Sequence, residues 1–223
     1  MKNVMIVEDQ KMIRSILEGY IDKAADFSLA ASVEGAMQAC EICRKKKIHL
    51  ILMDVQTAHR ENGLVAVKKI KELYPDIRIV VVTSLVDADI LEQAKSFGAD
   101  SLWYKDTDEA MLMQVISRTM AGEHVFPDAP PVVEIGTAKS TEFTSAEIRV
   151  LRCLVKGMTY PQIAKKLNVE VVTVKYHVTN MLEKTNLKNK LQLAVAVSES
   201  KFVVDGGGWW RNSLNTICEF NRF

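Results

Sequence analysis

The stretch LILMDVQTAHRENGL, residues 50–64, places Asp54 at the end of an apolar run and follows it with polar residues as far as Gly63. A short apolar run that stops at polar residues is typical of a buried strand. Ligands of open α/β sheets bind beyond the carboxyl ends of the strands, so an acid at this position is a candidate for chemistry. The role of Asp54 therefore depends on what the other strands carry.

Short apolar runs alternate with helical periodicity over residues 1–122. Near-continuous apolar strands joined by helices predict a parallel sheet covered on both faces, which is a doubly wound α/β fold. We predict five strands in the flavodoxin-like order 2-1-3-4-5, with the first and third strands side by side. The predicted strands are residues 4–7, 29–31, 50–53, 79–82 and 102–104.

Polar residues follow four of these strands. Glu8 and Asp9 follow the first, Asp54 the third, Thr83 the fourth and Lys105 the fifth. Three carboxylates in one pocket repel one another unless a cation lies between them, and a set of oxygen donors suits Mg²⁺. A carboxylate can attack phosphorus to form an acyl phosphate, while a hydroxyl and an ammonium group balance charge on the phosphoryl oxygens. Asp54, Thr83 and Lys105 match these three roles.

The composition predicts a cytoplasmic protein without a membrane partner. With 223 residues, 48% of them hydrophobic, the chain can bury one ordinary core and a second small one. Its apolar runs are shorter than the roughly 18 residues of a membrane span, and the start MKNVMIVEDQ lacks the layout of a signal peptide.

The charge is divided unevenly along the chain. Residues 1–122 hold 16 Lys and Arg against 18 Asp and Glu, a net charge of −2, whereas residues 140–204 hold 10 against 5, a net charge of +5. A basic second part is consistent with a polyanionic partner, although charged residues often only cover a solvated face.

The second part has the pattern of a small all-α domain over residues 140–204, after a proline-rich linker at 123–139. Thr144 with Glu147, and Thr159 with Gln162, predict capping boxes at two helix starts. A third helix follows after Asn168, and short helices joined by tight turns are typical of a helix-turn-helix. On that third helix Lys175, Tyr176, Thr179 and Glu183 are predicted to face outward.

The residues of the first part resemble the receiver domain of two-component response regulators. The resemblance implies that Asp54 accepts a phosphoryl group from a sensor histidine kinase. It also implies that Glu8, Asp9, Asp54 and the backbone carbonyl of Gln56 hold Mg²⁺. Thr83 would be the switch hydroxyl, and Lys105 would contact the phosphate.

Two features depart from the receiver pattern. Receivers usually carry Met-Pro after the acceptor and a glycine eight residues on, whereas TAHREN fills the loop here and Gly63 lies nine residues on. We therefore predict a flexible, polar loop beside Asp54. The switch aromatic expected three residues before the lysine is replaced by Leu102, and we predict that the neighbouring Trp103 and Tyr104 are half-buried packing residues.

The second part resembles the helix-turn-helix domain of LuxR/FixJ-type (NarL-type) regulators. The matching residues are Thr144, Glu147, Gly157, Ile163, Ala164, Leu167, Thr173, Val174, Lys175 and His177. The resemblance implies binding to double-stranded promoter DNA and a homodimer when phosphorylated. Lys175, Tyr176 and Thr179 would face base edges, with Thr173, Lys184, Lys188 and Lys190 near phosphates. Glu170 is a poor N-cap for the recognition helix, a loss that typically costs about 1 kcal/mol.

Two other functions stay open. An aspartate-nucleophile phosphatase also places an aspartate after a strand, but Gln56 stands where its second acid is needed. A DNA-binding regulator could instead use a receiver as a dimerisation module without phosphorylation. We favour a phosphorylated transcription regulator that is not an enzyme. The tail at 205–223 lies beyond both resemblances, and Trp210, Leu214, Ile217 and Cys218 have helical spacing. Docking on a surface, disorder and binding of a partner stay open for it.

Overall fold

The computed structural model describes residues 1–105 and 109–203, which divide into two compact units. The first unit takes in the described residues of 1–84 and 88–129, and the second takes in residues 85–87 and 130–203. Each unit has a buried apolar core of its own. The predicted tail at 205–223 lies outside the described residues.

The described residues of the first unit form a parallel sheet flanked by helices. The strands are β1 (Lys2–Val7), β2 (Phe27–Val33), β3 (Leu50–Asp54), β4 (Gln56–Thr57), β5 (Glu61–Asn62), β6 (Arg78–Thr83) and β7 (Ser101–Tyr104). The helices are α1 (Lys11–Lys23), α2 (Ala36–Lys45), α3 (Gly63–Leu73), α4 (Ala88–Ser96) and α5 (Glu109–Met120). The main sheet has the order β2-β1-β3-β6-β7, which confirms the predicted doubly wound fold.

The sheet register brings the carboxyl ends of the central strands together. Val7 on β1 pairs with Met53 on β3, and Asp54 pairs with Val82 on β6. Every residue of β3 is buried, as expected of a strand covered by helices on both faces. One face of the sheet packs against α1 and α5 through Leu17, Ile21, Leu112 and Ile116. The polar residues that follow β1, β3 and β6 consequently meet at one edge.

The second unit is a short hairpin followed by four helices within the described residues. In chain order these are β8 (Glu134–Ile135), β9 (Ala138–Lys139), a 3₁₀ turn (Ser140–Glu142), α6 (Ser145–Val155), α7 (Tyr160–Leu167), α8 (Val171–Thr185) and α9 (Lys190–Glu199). Both predicted capping boxes are confirmed, at the starts of α6 and α7. The side chain of Glu170 makes no cap hydrogen bond to α8, in line with the predicted poor cap.

The structure differs from the linker predicted at 123–139. Ile135 and Ala138 of the hairpin are buried in the second core, and the Thr137 N–H donates to the Thr185 carbonyl at 3.1 Å. At the other end, Val125 forms a parallel bridge with Ser101 on β7. Strands of two residues leave no alternation for sequence reading to detect, and the prolines around them favoured the prediction of a linker.

Within residues 1–105 and 109–203, no helix combines the length and the apolar content that crossing a membrane requires.

Candidate functional site

Three carboxylates lie together where β1 and β3 end. One carboxylate oxygen from each of Glu8, Asp9 and Asp54 lies within 4.8 Å of the other two. Glu8 and Asp54 are buried, whereas Asp9 is exposed. A cluster of oxygen donors that is open on one side matches the preference of Mg²⁺ for carboxylate ligands with some water retained.

The ammonium group of Lys105 lies between two of these carboxylates. Its Nζ atom is 2.5 Å from Glu8 Oε2 and 3.0 Å from Asp54 Oδ2, and all three side chains are buried. Thr83 is also buried at the end of β6, and its carbonyl accepts a hydrogen bond from the Lys105 N–H at 2.9 Å. The structure thus brings the predicted acceptor, the predicted acids and the predicted lysine into one site.

Burial dominates the electrostatics of this site. Desolvation raises the pKa of Asp54 to about 7, because the nearby positive charge of Lys105 only partly offsets it and the negative charge of Glu8 raises it further. Burial lowers the pKa of Lys105, but the carboxylates of Asp54 and Glu8 outweigh that effect and leave this pKa above its usual value. The ammonium group of Lys105 therefore does not fully compensate the negative charge of the carboxylates in this site.

The loop after Asp54 is a hairpin, which corrects the prediction of a flexible polar loop. Gln56 pairs with Asn62, and Thr57 pairs with Glu61, on either side of a 3₁₀ turn. The N–H of Gln56 donates a hydrogen bond to the Asp54 carboxylate. The extra residue of this loop is therefore accommodated by regular pairing. The role of the Gln56 carbonyl as a metal ligand stays a prediction.

The hairpin is fastened to the first turn of α2. Thr57 Oγ1 accepts a hydrogen bond from the Ala36 N–H at 3.2 Å, and Glu61 Oε2 accepts one from the Met37 N–H at 2.9 Å. These donors need outside partners, because the N-cap of α2 is Gly35, which has no side chain to offer. A carboxylate is also favourable at a helix N-terminus.

The same turn supports the loop that carries Glu8. Arg14 donates from Nη1 to the Glu8 carbonyl at 2.7 Å and from Nη2 to the Glu34 carboxylate at 2.9 Å. The Glu34 carbonyl accepts a hydrogen bond from the Ala58 N–H at 2.9 Å. Residues 34–37, which we call the anchor turn, thus contact both the loop that carries Glu8 and the hairpin that follows Asp54, without contributing an acid to the cluster.

The aromatic residues before Lys105 are more deeply buried than predicted. Trp103 is 8% exposed and Tyr104 is 6% exposed. Trp103 belongs to the same core cluster as Leu112 and Ile116 of α5. A ring held in that cluster is a packing residue. Leu102, at the position of the usual switch aromatic, is likewise buried.

In the second unit, α8 turns one face to its core and the opposite face to solvent. The buried residues are Val174, Val178, Met181 and Thr185. The exposed residues include Lys175, Tyr176 and Thr179, as the helical spacing predicted, and Thr173 is half-buried at the flank. Lys188 and Lys190 are exposed near the start of α9.

Lys184, which we predicted to lie near a DNA phosphate, is ion-paired within its own domain. Its Nζ lies 2.8 Å from Glu147 Oε2 and donates to the Glu142 carbonyl at 3.0 Å. Its contact with phosphate stays a prediction. Burial raises the pKa of Glu147, but hydrogen bonds from Lys184 and Thr144 outweigh it and leave this pKa below its usual value.

Sequence reasoning also missed three exposed residues near the helix-turn-helix. Lys165 and Lys166 are exposed in the last turn of α7, and Val172 is 70% exposed on α8. The paired lysines ahead of Asn168 could have been noticed as basic. Val172 could have been found because it lies half a turn away from the buried stripe that contains Val174 and Val178.

A family model of the response regulator receiver domain matches residues 4–117, just over half of the chain. The chain is a response regulator. A second family model, of bacterial regulatory proteins of the luxR family, matches residues 141–197. This response regulator therefore contains a receiver domain and a LuxR-type DNA-binding domain.

The response regulator is similar along most of its length to curated and solved proteins. VraR of Staphylococcus saprophyticus is 26% identical over 198 residues, which covers 86% of this chain and 94% of that protein, and VraR of Staphylococcus epidermidis is 27% identical over 197 residues. A structure of RcsB dimers bound to DNA has a TM-score of 0.59 at 20% identity, covering 88% of this chain and 98% of RcsB. The isolated receiver domain of RcsB from Salmonella enterica serovar Typhimurium, solved with the phosphomimetic BeF₃⁻, has a TM-score of 0.53 at 17% identity, covering 57% of this chain and 94% of that one. The two structures show the shared fold.

The raised pKa of Asp54 gives the receiver domain an expected pH dependence. Because this pKa is about 7 in the folded domain and about 3.9 in an unfolded chain, the folded state holds a proton that the unfolded state releases between those values. Without Mg²⁺, the contribution of Asp54 to the unfolding free energy should fall as the pH rises through this window, by at most about 1.4 kcal/mol per pH unit.

Urea denaturation at several pH values between 4.5 and 7.5, on wild type and Asp54→Asn, isolates this contribution. The difference in unfolding free energy between the two proteins should change steadily with pH. A difference that stays constant across the window contradicts a raised pKa at Asp54.

Proposed function

We propose that this response regulator is phosphorylated on Asp54 by a sensor histidine kinase or a small acyl phosphate, and that phosphorylation controls its binding to promoter DNA. The observation that carries the proposal is the buried Asp54 carboxylate, flanked by Glu8 and Asp9 and contacted by the ammonium of Lys105. We place this function in the cytoplasm, where a chromosome and the catalytic part of a kinase are accessible.

Mg²⁺ is the cofactor that this donor set fits. The acidic cluster offers oxygen atoms alone, one of its members is exposed, and the charge of Asp54 is incompletely compensated by Lys105. Glu8, Asp9, Asp54 and the Gln56 carbonyl would hold the ion. When bound, it would neutralise negative charge on the incoming phosphoryl group.

The chain's own residues supply the other parts of the transfer. A carboxylate oxygen of Asp54 forms the new bond to phosphorus as the bond from phosphorus to the donor's nitrogen or oxygen breaks, and the leaving group takes up the bonding electrons. Lys105 and the Thr83 hydroxyl would balance charge on the phosphoryl oxygens, because Lys105 Nζ lies 3.0 Å from Asp54 Oδ2 and Thr83 ends the strand that pairs with β3.

The phosphoryl group adds a charge of about −1.5 to −2 to the site. That charge would draw Thr83 and Lys105 toward it and alter the surface formed after β6 and β7. The expected consequence is a homodimer that sets two DNA-binding domains on two half-sites about 34 Å apart. Lys175, Tyr176 and Thr179 would face base edges, because they are exposed on α8, and Thr173, Lys184, Lys188 and Lys190 would lie near phosphates.

A regulator that works without phosphorylation is the second candidate. Leu102 at the position of the switch aromatic, and the burial of Trp103 in the core, are the observations in its favour. A phosphatase has less support, since the side chain two residues after Asp54 is the amide of Gln56, which cannot protonate a leaving group.

One experiment separates these functions. The full chain is treated with acetyl phosphate and Mg²⁺, its phosphorylated fraction is read from intact mass, and the same sample is measured for elution volume and for affinity toward a duplex selected from a random-sequence library. Phosphorylation should produce a dimer and raise the affinity roughly tenfold or more, because the second half-site is then contacted intramolecularly.

A phosphorylated sample with unchanged elution and affinity would support the phosphorylation-independent regulator. Sustained turnover of a phosphate ester such as p-nitrophenyl phosphate would support the phosphatase. The matched control is Asp76→Ala, an exposed acid in the turn after α3, which should behave as wild type throughout.

A further inference from the structure

Two large apolar side chains lie on the face of α8 that points away from the core of its domain. Val172 is 70% exposed and Tyr176 is 63% exposed. They are four residues apart and therefore neighbours on one helical face. Val174 and Val178, between and beyond them in sequence, are buried on the opposite face. We call Val172 and Tyr176 the apolar pair.

The exposed neighbours of the apolar pair in sequence are polar, with the acid Glu170 before the pair and Lys175 within it. Lys175 and Thr179 are exposed on the same helix, and Lys165 and Lys166 are exposed at the end of α7. A single exposed valine needs no explanation. A valine and a tyrosine side by side on the outward face of a helix-turn-helix need one, because exposed lysines accompany them on α8 and α7. Such a surface suits a partner that is negatively charged and also presents an apolar group.

DNA offers one such feature to a helix. In the major groove thymine presents its C5-methyl group, whereas the other bases present only hydrogen-bond donors and acceptors there, and the minor groove has no equivalent. The two members of the pair are about 6 Å apart along the helix axis, close to two base-pair steps of about 3.4 Å.

We propose that the apolar pair contacts thymine methyl groups in the major groove, so that each half-site contains thymine within about two base-pair steps. This inference rests on the proposed DNA-binding function. Lys175 would then supply the polar contact that adjoins the methyl contact, since it precedes Tyr176 in sequence and is exposed.

The test uses the full-length protein and a duplex selected from a random-sequence library at physiological salt. Each thymine of the selected duplex is replaced in turn by deoxyuridine, which differs only in lacking the methyl group. Wild type should bind two to four of the single-uracil duplexes about fourfold more weakly than the parent duplex, and it should bind a duplex with one contacted thymine replaced in each half-site about 15-fold more weakly.

Variants assign that loss to the apolar pair. Val172→Ala should bind the parent duplex several-fold more weakly, and it should no longer distinguish thymine from uracil at the position it contacts. Tyr176→Ala should do the same at its own position. The matched control is Val132→Ala, which removes an exposed valine outside the helices and should keep the full discrimination of wild type.

The outcomes distinguish failure of the thymine contact from failure of DNA binding itself. If no sequence is enriched and no duplex is bound above the non-specific level, DNA binding fails and the inference fails with it. If a sequence is enriched but every uracil duplex is bound as tightly as its parent, the inference is overturned while DNA binding stands. Equal discrimination by wild type and both alanine variants also overturns it, because other side chains or DNA shape then read the methyl group.

Discussion

Asp54→Ala is expected to abolish phosphoryl uptake, with no mass increase after incubation with acetyl phosphate and Mg²⁺ under conditions in which wild type gains one phosphoryl group. The reason is geometric as well as chemical. Asp54 is the carboxylate at the end of β3 that is contacted by Lys105, and it accepts a hydrogen bond from the Gln56 N–H. The remaining acids of the cluster lie on the loop after β1.

Asp9 provides the most demanding control for this result. It is the exposed member of the acidic cluster, so it is the residue most able to take up phosphate in place of Asp54. Asp9→Asn should still be phosphorylated, although more slowly because a Mg²⁺ ligand is weakened. Phosphate found on Asp54→Ala, located by peptide mass, would contradict the proposed acceptor. If wild type and Asp9→Asn both fail to react with acetyl phosphate, a phosphorylated kinase domain is the donor to use, and the same contrast with Asp54→Ala is expected.

Gly63→Ala is expected to destabilise the receiver domain more than any surface substitution does. A Cβ atom at Gly63 would lie 1.8 Å from the carbonyl oxygen of Asp54 and 2.9 Å from its carbonyl carbon. These are backbone atoms of a fully buried strand, so they cannot move aside cheaply. We expect the unfolding free energy to fall by about 3 kcal/mol or more, at the upper end of what overpacking costs, together with a loss of phosphorylation.

Gly19→Ala is the matched control for that substitution. Gly19 lies in the middle of α1, and a Cβ atom added there meets nothing within 4 Å. Alanine is the better helix former, so this variant should gain about 0.5–1 kcal/mol. Urea denaturation followed by circular dichroism measures both variants. Equal stability of Gly63→Ala and wild type would show that the backbone at the end of β3 can move to accommodate a methyl group. That outcome would contradict the tight packing described around Asp54.

The sequence alone carried enough information for the fold and for the centre of the site. Apolar runs marked the strands, and the carboxyl ends of parallel strands meet at one edge, so Glu8, Asp54 and Lys105 could be placed together before any distance was known. The exposed face of the helix-turn-helix could also be predicted from the sequence, because the buried residues of α8 recur with the helical period.

What the sequence did not reveal depends on partners far apart along the chain. The ion pair of Lys184 could not be predicted, because its partner Glu147 is 37 positions earlier and was already explained as a capping residue. The order of the loop after Asp54 could not be predicted, because it depends on hydrogen bonds from the N–H groups of Ala36 and Met37, which lie on α2. Val172 was overlooked because a valine in an apolar helix is ordinarily read as core.

The anchor turn couples two positions that are far apart in the sequence, Gly35 and Glu61. An ideal Cβ atom on Gly35 would lie 2.9 Å from Glu61 Oε2, so a side chain at position 35 and a carboxylate at position 61 compete for the same space. A larger side chain at position 35 should therefore displace the Glu61 carboxylate and leave the Met37 N–H at the start of α2 without this acceptor.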